Sequence, residues 1–322
     1  GVLPERICLP VSATFGLNQA IHGVVKPGDH VIATAADHNA TLRPLHYLRE
    51  KGCISLTIVP CDERGLVDPD ELVRAWQANT RLVTVSHASN VTGVTQEVQA
   101  IVNIARERDT ISILDASQSM GQVVMSQYDS IADVIVSPGH KWLMGMHGIG
   151  VLYARQGIHL DPLIQGGTGT TSESLEMPVK IQDQVEVGTS DFPAVVALLA
   201  GCRWLKEEGL KSVIATCRGF AQACYDELSD IPGVRVISPD PASGALGPPI
   251  ISIVCKGYSP AEVAALFEQI SGVQVRSGYH CAARIHEFLG TSQGGTVRIS
   301  FGPFSGIEDV EAIISATKEI ML

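Results

Sequence analysis

Over roughly the first two hundred positions, apolar runs of four to six residues alternate with amphipathic stretches of helical period. The runs predict strands at Asp29–Thr34, Leu56–Pro60, Leu82–Ser86, Ile111–Asp115, Val134–Ser137 and Gly150–Tyr153. They are short, rich in β-branched residues and apolar at successive positions, the pattern of strands covered on both faces. The segments between them read as helices. Asp68-Pro69-Asp70-Glu71 sets a cap, a first-turn proline and acids at one helix start. Strictly alternating strands and helices imply a mainly parallel sheet sandwiched by helices. From Pro193 the helical period runs on to Ser229 as one stretch, and a smaller α+β unit follows. Its predicted strands are Ile250–Val254, Gln274–Arg276 and Val297–Phe301, its helices Pro260–Ile270 and Ile307–Ile320, and Pro239–Pro249 reads as a loop. The expected division is a large domain over residues 1–205 and a small one over 206–322.

A chain of 322 residues exceeds the usual size of a single core, in keeping with that division. Only 18% of residues are charged, the net charge is −11, and no lysine or arginine cluster interleaves with aromatics, which excludes a nucleic-acid groove. No apolar run approaches the ~18–20 residues that span a bilayer, and no basic-then-apolar leader opens the chain, so no membrane role and a cytoplasmic location are expected. Eight cysteines show neither a Cys-x-x-Cys pair nor zinc-site spacing, so no metal is expected. Cys217 and Cys224, seven apart in a helical stretch, share a face and read as core positions.

Two segments change the picture from fold to chemistry. Asp133-Val-Ile-Val-Ser-Pro-Gly-His140-Lys141 delivers a lysine from an apolar strand into a glycine-rich turn, and Ile111-Ser-Ile-Leu-Asp115-Ala-Ser-Gln118 ends a second strand in a carboxylate. Pyridoxal phosphate needs this pair: an amine to hold the aldehyde and a carboxylate to keep the pyridine nitrogen protonated. A close carboxylate–pyridinium pair is favoured by about 4 kcal/mol at an effective dielectric near 20. That is roughly three pK units before desolvation is subtracted. Singly, Lys141 reads as a surface lysine and Asp115 as a helix cap; together they point to the cofactor. A sheet of this kind binds ligands beyond the carboxyl ends of its strands, where Asn90, Asp115 and Lys141 all fall.

Eight short motifs follow in order: Ser12-Ala13-Thr14, Asp37-His38-Asn39, His87-Ala-Ser-Asn90-Val-Thr-Gly93, Asp115-Ala-Ser-Gln118, Gly139-His140-Lys141, Gly188-Thr189, Arg276-Ser-Gly-Tyr-His-Cys281-Ala and Val297-Arg298-Ile-Ser. With them the chain resembles the class V aminotransferase family of fold-type I PLP enzymes, and within it the cysteine desulfurase and selenocysteine lyase branch. The resemblance implies a fold-type I PLP-transferase. In it Ala13 and Thr14 hold the cofactor phosphate at a helix N-terminus, though a plain helix cap is the simpler reading of that turn. By the same resemblance His38 stacks on the pyridine and assists proton transfer, Asn90 and Gln118 stand near the phenolic oxygen, and His140 is a further phosphate ligand. Thr189 reaches the phosphate of a neighbouring subunit's cofactor, which makes the active unit a homodimer. Departures occur at Phe15, Pro138, Met146, Tyr279 and Ala283, where relatives often have glutamate, serine, proline, histidine and proline. Relatives also usually carry several dozen residues before the point where this sequence begins, packed beside the active site.

Cys281 turns a general PLP reading into sulfur transfer. It sits in a polar, glycine-containing loop with Arg276 and His280 close in sequence, a setting expected to lower its thiol pKa and expose it. Arg298 is a charge within a strand pattern; a bidentate hold on a substrate α-carboxylate, with Arg276 and Asn90 alongside, or a buried ion pair would account for it. The expected function is a cysteine desulfurase that takes a small amino acid, leaves a persulfide on Cys281 and passes sulfur to an acceptor protein. The rival readings are a selenocysteine lyase, another class V aminotransferase or lyase with Cys281 incidental, and a truncated non-catalytic dimeric scaffold.

Overall fold

The computed structural model describes residues 2–123, 132–245 and 247–322. Among them, a seven-stranded sheet holds β1 (Ile7–Cys8), β2 (Asp29–Thr34), β3 (Ile54–Val59), β4 (Thr80–Ser86), β5 (Ile111–Asp115), β6 (Val134–Pro138) and β7 (Gly150–Ala154) in the order β1-β7-β6-β5-β4-β2-β3. Strands β2 to β6 pair in parallel, while β7 and β1 run antiparallel at one edge. The connecting helices are α1 (Ala13–Val24), α2 (Asn39–Glu50), α3 (Pro69–Ala75) and α4 (Val98–Glu107).

The apolar runs follow from this layering. Ile32, Val83, Leu114 and Ile135 face one side and join Ile101, Val102 and Ala105 of α4. Their neighbours Val31, Leu82, Ile113 and Val134 face the other and join Leu17 and Ile21 of α1 and Leu45 of α2. Each such side chain contributes about 1.5–3 kcal/mol on burial. Unpaired polar residues inside a strand would therefore be costly, and the sheet presents its chemistry at the carboxyl ends of its strands instead.

A second, wholly antiparallel sheet, in the order β10-β11-β9-β8, is built from β8 (Val234–Val236), β9 (Ile250–Cys255), β10 (Arg276–Gly278) and β11 (Thr296–Ser300). The helices here are α5 (Ile181–Val185), α6 (Phe192–Glu208), α7 (Leu210–Ser229), α8 (Pro260–Ser271), α9 (Ile285–Phe288) and α10 (Ile307–Ile320). Ile251, Ile253, Val297 and Ile299 pack against Phe267 of α8, Val310 and Ile313 of α10, and Ala221, Cys224 and Leu228 of α7. Cys217 of α7 is buried as well.

The expected single helix from Pro193 to Ser229 is two. Gly209, at φ 82, ends α6 and opens α7. The helical period passes through Gly209 unbroken, so only the backbone conformation reveals the break. The strand expected at Gln274–Arg276 lies at Arg276–Gly278, and β1 and β8, with two and three residues, were too short to register as a pattern. Asp68 does cap α3, its side chain accepting from the Asp70 N–H.

Two helical glycines give opposite expectations. A methyl group on Gly201 of α6 would overlap the backbone of Leu143 and Met144, just after Lys141, whereas around Gly219 of α7 nothing lies within 4 Å. Gly201→Ala is expected to cost about 1–3 kcal/mol from overpacking. Gly219→Ala is expected to gain about 0.5–1 kcal/mol of helix propensity. Urea midpoints of the two variants should move in opposite directions, and a stabilised Gly201→Ala would contradict this packing.

Candidate active site

The strand order reverses between β2 and β4, the switch point at which open α/β sheets bind ligands. Four neighbouring strands end there and deliver His38 after β2, Asn90 after β4, Asp115 at the end of β5 and Lys141 after β6. Ala13, Thr14, Gln118, His140 and Arg276 line the same cleft. Nine of the residues singled out from sequence thus come together in one chain. Thr189 lies exposed before α6 and does not line the cleft. Arg298 opens on an adjoining pocket that shares Gln118 and Lys141 with the cleft, and Cys281 on a groove that shares Thr14, His38 and Ala40 with it.

The turn from β2 into α2 is fixed by Asp37, a residue whose motif was visible but whose part was not. Fully buried, it accepts hydrogen bonds from the N–H of Ser86 (2.6 Å), the N–H of Thr34 (2.9 Å) and the Thr84 hydroxyl (3.2 Å). Burial pushes its carboxyl up to about 7, against the pull of the Thr34 and Ser86 N–H groups. His38 then caps α2, its Nδ1 accepting from Ala40 N at 3.0 Å. Burial, with Lys141, Arg276 and Arg43 nearby, lowers the His38 pKa despite the opposing Asp115, so its ring is held neutral.

Asp115 is 5% exposed, and its Oδ1 accepts from the Ser117 N–H at 2.9 Å, leaving Oδ2 without a hydrogen-bond partner among the described residues. The Lys141 amine likewise has no hydrogen bond or ion pair among them. Burial lowers its pKa, Asp115 raises it, and Arg298 and Arg276 lower it again, so the free amine is favoured relative to an ordinary lysine. Ser12 caps α1, accepting from Phe15 N at 3.1 Å, and leaves the first N–H groups of that helix, at Ala13 and Thr14, without intrahelical acceptors. His140, its ring tilted against that of His147 with centroids 4.5 Å apart, stands on the same cleft. A helix N-terminus beside an imidazole fits a phosphate, and a carboxylate with a spare oxygen fits a protonated ring nitrogen. An unpartnered amine between them fits an aldehyde, so the donor set suits pyridoxal phosphate.

The second sheet contributes the remaining groups. Arg276 and Arg298 are register partners on β10 and β11. No ion pair involves either among the described residues, which removes the buried-ion-pair reading of Arg298. Arg298 donates from Nη1 to the backbone carbonyl of Asn90 at 3.0 Å, its Nε is buried without a partner, and burial beside Arg276 pushes its pKa down to about 10. Arg276 donates from Nη2 to Cys281 Sγ at 3.6 Å. Cys281 is exposed, and it and His280 both adopt left-handed backbone, φ 61 and 51. The turn is held by the Asn39 N–H donating to the Cys281 carbonyl (2.7 Å) and the Asn90 side chain donating to the His280 carbonyl (2.6 Å). His280, buried in its turn, meets Thr296 through Nε2. These tertiary hydrogen bonds leave no trace in a local sequence pattern.

The sequence matches the family model described as aminotransferase class-V over residues 4–313. A probable cysteine desulfurase of Methanothermobacter thermautotrophicus is 31% identical over 301 residues, covering 92% of this chain and 74% of that protein. Another, of Aeropyrum pernix, is 32% identical over 321 residues, covering 95% and 75%. The apo structure of a cysteine desulfurase from Thermococcus onnurineus NA1 superposes with a TM-score of 0.88 at 28% identity, covering 98% of this chain and 79% of that one. No helix among the described residues is long and apolar enough to cross a membrane.

Burial holds His280 neutral, pushing its pKa from 6.5 down to about 3. The folded pKa is depressed for a group that charges on protonation. Its contribution to stability is therefore full above about pH 6.5 and lost as pH falls, at about 1.4 kcal/mol per pH unit while only the unfolded chain takes the proton. His280→Asn should lower stability at pH 7, and its deficit against the wild type should shrink by that slope in urea titrations between pH 6 and 4.5. A deficit independent of pH would show that His280 titrates alike in both states.

Proposed function

Because the chain belongs to the class-V aminotransferase family, we propose that it is a pyridoxal-phosphate-dependent cysteine desulfurase, converting L-cysteine to alanine and leaving a persulfide on Cys281. One observation carries this reading: two adjacent arginines without carboxylate partners among the described residues, one on the Cys281 thiol and the other on a pocket that adjoins the cleft, flank a half-buried, unpartnered lysine. Their charges suit a substrate carboxylate, and their position sets a bound cysteine between Lys141 and Cys281. The relatives named above as cysteine desulfurases support the same choice of substrate.

Pyridoxal phosphate supplies an electron sink for the carbanion that forms when an amino acid loses its α-proton. The chain's own groups do the rest. The N–H groups at the start of α1 and His140 would hold the phosphate, and Asp115 Oδ2 would keep the ring nitrogen protonated. His38, Asn90 and Gln118 would complete the site around the ring. Arg298 and Arg276 hold the substrate carboxylate. The Lys141 amine, favoured in its free form by burial, takes the α-proton. Cys281 Sγ, as thiolate beside Arg276, attacks the substrate sulfur: the substrate C–S bond breaks, an S–S bond forms, and the electron pair returns to the carbon that becomes the methyl of alanine. Cysteine and enzyme thiol thus give alanine and enzyme persulfide with no outside oxidant, and the persulfide passes to a sulfur acceptor.

The working unit in this reading is a homodimer. Phe192, Val196 and Leu199 form an exposed apolar stripe at i, i+4 and i+7 on α6, with Phe192 72% exposed, beside the loop that carries Thr189. Such a stripe suits a second copy of the chain and would bring Thr189 toward the partner's cleft. All eight cysteines are free, which suits a reducing, cytoplasmic setting.

Cys281→Ala separates this reaction from every other use of the cofactor. The variant should keep the cofactor's absorbance and its spectral response to cysteine, yet form no persulfide and release no sulfide under a thiol reductant; unchanged sulfide release would refute the assignment. Lys141→Ala should leave no cofactor fixed to the chain by borohydride. In Asp115→Asn, turnover should fall roughly a hundredfold to a thousandfold, the rate equivalent of about 3–4 kcal/mol. Near-normal turnover there would reduce Asp115 to the turn-forming residue its Ser117 bond already makes it.

A further inference from the structure

Cys281 does not line the cofactor cleft but the groove beside it, between α1 and α2. Asn18 and His22 form one wall of the groove, Arg43 and Tyr47 the other, and the two hollows meet at Thr14, His38 and Ala40. The chain carries 34 acidic against 23 basic residues, yet among the described residues no carboxylate lines this groove. Burial lowers the pKa of His22 and of His38, which leaves Arg43 and, at the Cys281 end, Arg276 as the fixed charges. Arg43 is exposed and makes no hydrogen bond or ion pair among the described residues. Tyr47, one turn further along α2, is exposed too, an amphipathic side chain of the kind enriched where polypeptides dock.

We infer that this groove receives the sulfur acceptor, and that it selects a polypeptide whose cysteine is flanked by acidic residues, paired with Arg43. The inference rests on the reading of Cys281 as persulfide carrier. A polypeptide is favoured over a small free thiol because Arg43 and Tyr47 extend the groove along an exposed helix face, away from the reacting sulfur. In the transfer step the acceptor thiolate attacks the outer sulfur of the Cys281 persulfide. The old S–S bond breaks as the new one forms, Cys281 leaves as thiolate beside Arg276, and no oxidant or reductant is consumed.

The test uses the cofactor-loaded protein in two separate measurements. Alanine release in a single turnover reports persulfide formation, and mass spectrometry of added peptides reports transfer. The probes are a short peptide with its cysteine flanked by glutamates, the same peptide with lysines in their place, and mercaptosuccinate. Transfer to the glutamate peptide should be the fastest. Arg43→Glu should slow it by roughly two- to fivefold, the size of one solvent-exposed ion pair, and speed transfer to the lysine peptide, each rate counted per persulfide formed because Arg43 also bears on His38. Added salt should erase the difference. If no persulfide forms on Cys281, the underlying assignment fails, and the inference with it. Persulfide formation with equal peptide rates in wild type and Arg43→Glu would overturn the inference alone. It would also be overturned if mercaptosuccinate showed the same sensitivity to Arg43 as the glutamate peptide, since a free thiol would then suffice. A change in sedimentation on Arg43→Glu would assign the groove to contact between copies of the chain, again against it.

Discussion

A local surplus of positive charge governs this site. Lys141, Arg276 and Arg298 act on one another's charge across a space that holds one facing carboxylate, Asp115, and Arg298 keeps a buried nitrogen without a partner. Like charges held this close are costly even though Arg276 reaches solvent and Lys141 and Arg298 are only half-buried. In the proposed reaction two anions would offset that cost, a cofactor phosphate at the start of α1 and a substrate carboxylate between the arginines. An acidic chain that concentrates cations at one point suits small anions there, and the two arginines add to the burial that lowers the Lys141 pKa.

The surplus would be idle without rigid supports, which are mostly backbone. Asp37 binds two N–H groups and a hydroxyl, tying the turn after β2 to β4. Asn90 joins three parts of the site at once: its carbonyl accepts from Arg298, its side chain donates to the Cys281 turn, and its own strand end lies on the cleft. Cys281 in a left-handed conformation after His280 in another is a strained pair. The Asn39 and Asn90 hydrogen bonds hold it there, so the thiol position is set by the large sheet although the residue belongs to the small one.

Much of this was legible in the sequence because sheet burial writes itself into it. Runs such as Ile111–Asp115 are apolar at every position since both faces are covered, and a charged residue closing such a run must sit at the carboxyl end of its strand. Lys141, Asp115 and Asn90 could therefore be placed before any coordinates. What stayed hidden was set by tertiary pairing or by single backbone angles. The break at Gly209 lies inside an unbroken helical period, β1 and β8 are too short to carry a pattern, and β7 gives no local sign that it runs antiparallel. The scaffold role of Asp37 depends on β4, some fifty residues distant. The separation of Cys281 from the cleft into its own groove depends on how the two sheets meet.

Because Lys141 and Asp115 stand at strand ends of one sheet, and Arg276 and Arg298 lie in the other with Cys281 in the turn after β10, an amino acid bound between them would be a strut across a seam. The width of that seam is set by the Asn39 and Asn90 bonds to the Cys281 turn, so a ligand has to match it and does not set it. In the proposed reaction a seam of fixed width would select substrates by length, with no pocket wall needed against the end of the side chain.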